Sequence, residues 1–134
     1  FGFQSYPSLP VVKTFNPPDQ MSIYSESFSN HQKNPAGNMI IKKMFNHYFK
    51  EPSNFVQQLY LSQVQQAVAI KHGCEYFRTL KPITRGIIYW QLNDCWPVSS
   101  WASIEYGGRW KQLQYQAKHF FDPLMPTFFE NKDF

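Results

Sequence analysis

The chain has 134 residues, room for one ordinary domain, and a formal net charge of +4 from 13 Lys+Arg against 9 Asp+Glu. Its basic residues are dispersed, with only short pairs such as Lys42-Lys43, so neither a basic stripe nor a nucleic-acid-binding motif is present. No apolar stretch approaches membrane-span length. The two cysteines, Cys74 and Cys95, make no disulfide framework, and the four His show no paired ligand spacing, so no metal site is expected.

In chain order, the first predicted element is extended. Phe1 and Phe3 alternate with Gly2 and Gln4 like the tail of a strand. Pro7, Pro10, Pro17 and Pro18 then predict a turn-rich, extended stretch to Asp19, because each Pro removes a backbone donor and disfavours helix. Gln20 to Asn34 is polar and reads as a loop with a short helix. Met39, Ile40, Ile41, Met44, Phe45 and Tyr48 fit one face of a helix over 38–49. Glu51-Pro52-Ser53 stops it and offers Ser53 as the N-cap of a second helix over 54–79. Phe55, Leu59, Val64 and Val68 support that helix, and its polar face is rich in Gln rather than charge. Gly73 marks a bend, and Lys81-Pro82 ends the element. Gly86 to Leu92 reads as a buried strand. A loop over 93–109 follows, then a third helix over 110–121, ended by Asp122-Pro123. Thr127-Phe128-Phe129 reads as the first strand of a following module. Strand tail, helices, strand, loop, helix is the order of an α/β fold.

The run Gly86-Ile87-Ile88-Tyr89-Trp90-Gln91-Leu92-Asn93-Asp94-Cys95-Trp96-Pro97 carries the chemistry. Trp90, Gln91, Asn93, Asp94 and Trp96 crowd the strand's C-terminal end, and Trp101 follows. Flat aromatics beside amide and carboxylate groups suit a sugar, which offers an apolar C–H face and a rim of hydroxyls. In parallel α/β barrels the working residues sit at the C-terminal ends of strands. The strand end therefore reads as one wall of a carbohydrate site. Most of the other rings are expected to be core. Gln91 is expected to point the other way, toward the helical layer.

Tyr89-Trp90-Gln91-Leu92-Asn93-Asp94, then Trp96-Pro97, then Ser100-Trp101-Ala102-Ser103-Ile104-Glu105-Tyr106-Gly107-Gly108-Arg109-Trp110-Lys111 resembles the β-mannosidases of glycoside hydrolase family 2. The opening Phe1-Gly2-Phe3-Gln4-Ser5-Tyr6-Pro7-Ser8 is similar to the segment that follows the catalytic nucleophile in those enzymes. The resemblance implies the C-terminal portion of a TIM (β/α)8 barrel, incomplete on its own. Phe1 would continue strand seven, Gly86 to Leu92 would be strand eight, and 110–121 helix eight. Residues 1–124 would be the last part of the catalytic domain, and 125–134 the start of a following β-sandwich domain or a linker.

The implied activity is that of a retaining exo-β-mannosidase removing terminal non-reducing β-D-mannose. Another family 2 β-glycosidase (glucosaminidase, galactosidase or glucuronidase) and a non-catalytic carbohydrate-binding module are the alternatives. Retaining glycosidases use two carboxyl groups about 5–5.5 Å apart. Neither is expected in this chain: the nucleophile Glu would stand immediately before Phe1, and the acid/base Glu further upstream. The chain starts on Phe with no leader pattern and is expected to be a fragment. Trp90 would form the floor under the sugar, with a non-proline cis peptide at Trp90–Gln91. Asn93, Trp96 and Trp101 would line the substrate site, while Gln4, Tyr6 and Asp94 would support it from behind. Asp94 is expected to brace the loop through backbone amides, and Glu105 to pair with an Arg or cap the third helix. The expected partners are a β-mannoside oligosaccharide and the rest of the same polypeptide, with no nucleic acid, no membrane and no cofactor. The compartment follows the source: lysosomal in an animal, periplasmic or cytoplasmic in a bacterium.

Overall fold

Asn54 begins the longest helix of the chain. Its side-chain oxygen accepts from Gln57 N at 2.9 Å, and the Gln57 side chain accepts in return from Ser53 N at 3.0 Å. One orphan donor of the first turn and the N–H of the residue before the cap are thus satisfied reciprocally, a variant of the capping box, and the cap is Asn54 rather than the expected Ser53. In the computed structural model, which describes residues 1–128, the helices are α1 (Leu9–Val12), α2 (Glu26–Asn30), α3 (Gly37–Tyr48), α4 (Phe55–Thr79) and α5 (Gln112–Phe120). A 3-10 turn covers Pro18–Gln20. The expected helices over 38–49, 54–79 and 110–121 correspond to α3, α4 and α5.

The Pro-rich opening is not wholly extended, since α1 forms inside it. Pro10 falls in the first turn of that helix, where the missing N–H has no intrahelical partner to lose. Ser25 caps α2 by accepting from Phe28 N at 3.2 Å.

Two apolar clusters share α4 as a common wall. Tyr6, Val12, Phe28, Ile41 and Phe45 gather around Leu59 at its N-terminal end. The rings of Tyr6 and Phe28 meet edge-to-face at 5.4 Å. Ala67, Ile70 and Cys74 meet Leu113, Ala117 and Phe120 of α5 at the other end. The expected apolar face of α3 is narrower than its sequence, because Ile41 and Phe45 are buried while Met39, Ile40 and Tyr48 are exposed.

The Gln-rich face of α4 also departs from expectation. Gln63, Gln65 and Gln66 are buried, and Val68 is exposed. Gln63 and Gln66 turn inward because backbone carbonyls need donors there: Gln63 donates to Tyr6 O at 3.2 Å and Gln66 to Phe3 O at 2.8 Å. Gly73 lies within α4 and ends nothing. A Cβ at that position would come within 2.9 Å of the Phe1 ring, so the glycine admits a close approach.

Among the described residues the backbone pairs only as isolated bridges, and the segment 86–92 is not a regular strand. It lies parallel to the chain opening. Trp90 N donates to Phe1 O at 2.8 Å, and the Phe1 amino group reaches Ile88 O at 3.3 Å. Nor is the segment buried throughout. Ile87 and Tyr89 pack on the second cluster, while Ile88 is 87% exposed and Leu92 is exposed too. This is the alternation of extended backbone, with a neighbour on one face only. Thr127 and Phe128 have no regular structure, and Phe129, the rest of the expected final strand, lies outside the described residues. No described helix is long and apolar enough to cross a membrane.

Candidate active site

Trp90 stands at the end of the 86–92 segment, where parallel pairing with Gly2 stops. Its indole is 62% exposed, and the Trp90–Gln91 peptide is cis, as is Lys81–Pro82. Gly2 makes room for it: a Cβ there would fall 2.7 Å from Trp90 O and 3.0 Å from Trp101 Cδ1. The Trp90 backbone and the Trp101 ring therefore converge over a residue with no side chain. Trp101 is half-buried, and its carbonyl accepts from Gln91 N at 3.1 Å.

The 93–111 loop is held closely. Ile104 N donates to Leu92 O at 2.8 Å, and Asp94 N to Ile104 O at 3.1 Å. Ser103 N donates to Gln91 O at 3.0 Å, and Lys111 N to Ser103 O at 2.9 Å. Gly107 and Gly108, at φ +89° and +85°, make the turn before Trp110 in the left-handed region that favours glycine.

Asn93 is exposed, three residues beyond Trp90, and its amide donates to Asp94 O at 3.4 Å. Gln91 does not reach the helical layer; its amide donates to Asn93 O at 2.9 Å. The local cause is that Gln91 gives its own N–H and C=O to Trp101 and Ser103, which holds the side chain over the loop.

Trp96 is separate from the Trp90–Trp101 pair. It lies 5.1 Å from the ring of His31, which stacks on Phe15 at 3.8 Å and 7°. The His31 Nδ1–H donates to Pro97 O at 2.5 Å, fixing the turn that presents Trp96.

The supporting residues differ from the expectation in detail. Asp94 is buried and does not bond backbone amides. Its carboxylate accepts from the Ser100 hydroxyl at 2.7 Å and from the Lys33 ammonium at 3.2 Å. A buried carboxylate needs a counter-charge more than another neutral donor. Glu105 neither pairs with an Arg nor caps α5. It is buried and accepts from Ser8 N at 2.6 Å and Ser8 Oγ at 2.5 Å, tying the loop to the start of α1. Gln4 donates to the Gln32 side chain at 2.5 Å, beneath the loop. Tyr6 is a core residue, its hydroxyl donating to Asn38 O at 3.3 Å. Burial pushes that phenol well above its ordinary range.

The residue that sequence reading left without a role is Lys111. It is 0% exposed, and its ammonium donates to Ser5 Oγ at 3.2 Å. Burial lowers its pKa to about 8, against the pull of the Asp94 and Glu105 carboxylates, with Lys33 also pushing it down. Its place at the end of the conspicuous Trp90-to-Lys111 block was the available signal. No group of His, Cys, Asp and Glu that could hold a metal occurs among the described residues. Of the two cysteines, Cys74 is buried and Cys95 exposed.

The arrangement presents the exposed Trp90, the half-buried Trp101 packed on Gly2 and an exposed amide, on a loop anchored by buried charge. It can stack on and hydrogen-bond a sugar ring. Among the described residues no pair of carboxylates is free to serve it: Asp94 is bonded to Ser100 and Lys33, and Glu105 to Ser8.

No family model matches the chain. Among known proteins, it is 40% identical over 147 residues to a β-mannosidase of Bos taurus, covering 99% of this chain and 17% of the bovine protein. It is 31% identical over 155 residues to β-mannosidase A of Aspergillus terreus, covering 98% of this chain and 16% of the fungal one. The crystal structure of a β-D-mannosidase from Dictyoglomus thermophilum superposes with a TM-score of 0.86 at 34% identity, over 90% of this chain and 15% of that one. The chain thus spans about a sixth of the length of the curated relatives it matches, and along nearly its whole length it is similar to one segment of these β-mannosidases.

Proposed function

We propose that the polypeptide containing this segment is a retaining exo-β-mannosidase that removes terminal non-reducing β-D-mannose, and that this segment supplies part of its sugar-binding wall. The observation that carries the reading is identity to β-mannosidases along 99% of the chain, including one of known structure at a TM-score of 0.86. The exposed Trp90 indole supports it. In this reading Trp90 is the floor of the subsite, and Asn93 reaches sugar hydroxyls. Trp101 buttresses the floor, and Trp96, on its His31–Phe15 stack, meets the outer part of the glycan. Stacking that strengthens as the ring flattens in the transition state raises kcat rather than affinity for the ground state.

The segment is the C-terminal portion of a (β/α)8 barrel over 1–124, with 125–134 opening a following β-sandwich or linker. The nucleophile Glu stands immediately before the position of Phe1, and the acid/base Glu further upstream. Gln4 and Asp94 support the wall from behind, and Tyr6 does so from the core. The partners are a β-mannoside oligosaccharide and the rest of the polypeptide. The parallel pairing of 88–90 with 1–2 supports this, being the relation of neighbouring barrel strands. The relatives do not favour a glucosaminidase, galactosidase, glucuronidase or non-catalytic module.

The test is hydrolysis by the full-length polypeptide of aryl β-D-mannoside against the matching glucoside, galactoside, glucuronide and N-acetylglucosaminide. Preference for the mannoside, with the anomer retained in the first-formed product, is expected. Preference for another sugar, or no turnover of any, overturns the reading.

A further inference from the structure

Lys111 stands outside any expected role, yet two hydrogen-bonded paths lead from it to the backbone of Gln91. Along the side chains, Lys111 Nζ donates to Ser5 Oγ at 3.2 Å, and the Ser5 hydroxyl donates to Gln66 Oε1 at 2.8 Å. The Gln66 amide donates to Phe3 O at 2.8 Å and Trp101 O at 3.1 Å, and Trp101 O also accepts from Gln91 N at 3.1 Å. Along the backbone, Lys111 N donates to Ser103 O at 2.9 Å, and Ser103 N donates to Gln91 O at 3.0 Å. The acceptor of the Gln91 N–H is therefore held by a relay that starts at one buried ammonium, while the Gln91 carbonyl is held through the backbone of the same lysine. The charged groups influencing it are Asp94 and Glu105 from the loop and Lys33 from the segment before α3. A buried ammonium among such groups is costly unless its bonds are made.

We propose that Lys111 is a positioning residue for the sugar-binding wall: its buried charge, relayed through Ser5 and Gln66, sets the Trp101 carbonyl and with it the Gln91 peptide that orients the Trp90 indole. The inference rests on the exo-β-mannosidase reading for its consequence in catalysis but not for the network itself. Losing the proton weakens a charge-assisted bond at the head of the relay. The wall is then correctly set when Lys111 is protonated, and it loosens as pH rises through about 8.

The experiment uses full-length protein with an aryl β-mannoside across pH 6–10, for wild type and Lys111→Met. A misplaced floor is expected to lower kcat about tenfold to a hundredfold at pH 7 with KM little changed. The basic limb near pH 8 in wild type is expected to vanish in the variant. Tryptophan emission of the folded wild type is expected to titrate with the same midpoint, and that of Lys111→Met not to. A folded variant with wild-type kcat, or one that keeps the basic limb and the fluorescence titration, overturns the proposal. Where Lys111→Met does not fold, Ser5→Ala interrupts the same relay and keeps the lysine; an unchanged kcat and pH profile there overturns it equally. If wild type turns over no β-mannoside, the activity reading falls, and the fluorescence titration still decides the positioning role.

Discussion

Residues 86–92 and 93–111 lie side by side and invert the usual expectation. The first is a largely apolar run, and it leaves Ile88, Trp90 and Leu92 exposed. The second is rich in Ser, Gly and charge, and it buries Asp94, Ser100, Ser103, Glu105 and Lys111. Apolar surface is non-directional and is buried only where a neighbour supplies a face. Polar groups are buried one partner at a time, and here the partners are named: Ser100 and Lys33 for Asp94, Ser8 for Glu105, Ser5 for Lys111. The loop is thus a built object, and the strand-like run awaits its second face.

The largest test of that contrast is Asp94→Ala in the full-length protein. It strips the counter-charge from Lys33 and the acceptor from Ser100, and should cost about 3 kcal/mol, at the low end for a broken buried pair because Lys33 is partly solvated. Equilibrium denaturation measures it; a loss under about 1 kcal/mol would mean that the loop does not depend on its charges. Ile88→Ser probes the other region. If the proposed barrel covers the exposed face, the substitution costs roughly 2 kcal/mol in full-length protein. A change within about 0.5 kcal/mol would leave that face in solvent and count against the barrel.

Protons give the third test. Lys111 has a folded-state pKa of about 8, lowered by burial from an ordinary value of 10.5. Between those values the unfolded chain holds the proton and the folded chain does not, so this group makes stability rise with pH, by about 1 kcal/mol per unit at most. Lys111→Met should flatten the rise between pH 8 and 10, as read from denaturation midpoints. Tyr6, whose pKa is raised, acts in the opposite sense above pH 10. The smallest effect expected is that of Glu105→Gln, which keeps an acceptor for Ser8 but surrenders the charge, at about 1 kcal/mol. A loss as large as that of Asp94→Ala would make Glu105 the principal anchor of the loop instead.

What the sequence revealed follows the same division. α3 and α4 were legible to within a residue or two, because periodic apolar residues and the Pro52 break act locally. The cis peptide at Trp90–Gln91 and the exposed position of Trp90 followed from the resemblance. α1 was missed because Pro10 looks like a breaker unless it is known to sit in a first turn. The inward turn of the Gln-rich face of α4 had no local signal, since its partners Phe3 and Tyr6 lie 63 and 57 residues away. The bonds from Lys111 to Ser5, from Lys33 to Asp94 and from Ser8 to Glu105 were hidden for that reason, spanning 106, 61 and 97 residues.

Gly2 shows how a position without chemistry can imitate one with it. Any side chain there would push against the Trp90 carbonyl at 2.7 Å and the Trp101 indole at 3.0 Å. A saturation-mutagenesis map scored on activity would therefore mark Gly2 as intolerant as a catalytic site, although it binds nothing and titrates nothing. The same map scored on abundance would separate the two, because crowding at Gly2 displaces the Trp90 backbone and the Trp101 ring, neither of which belongs to the two buried clusters.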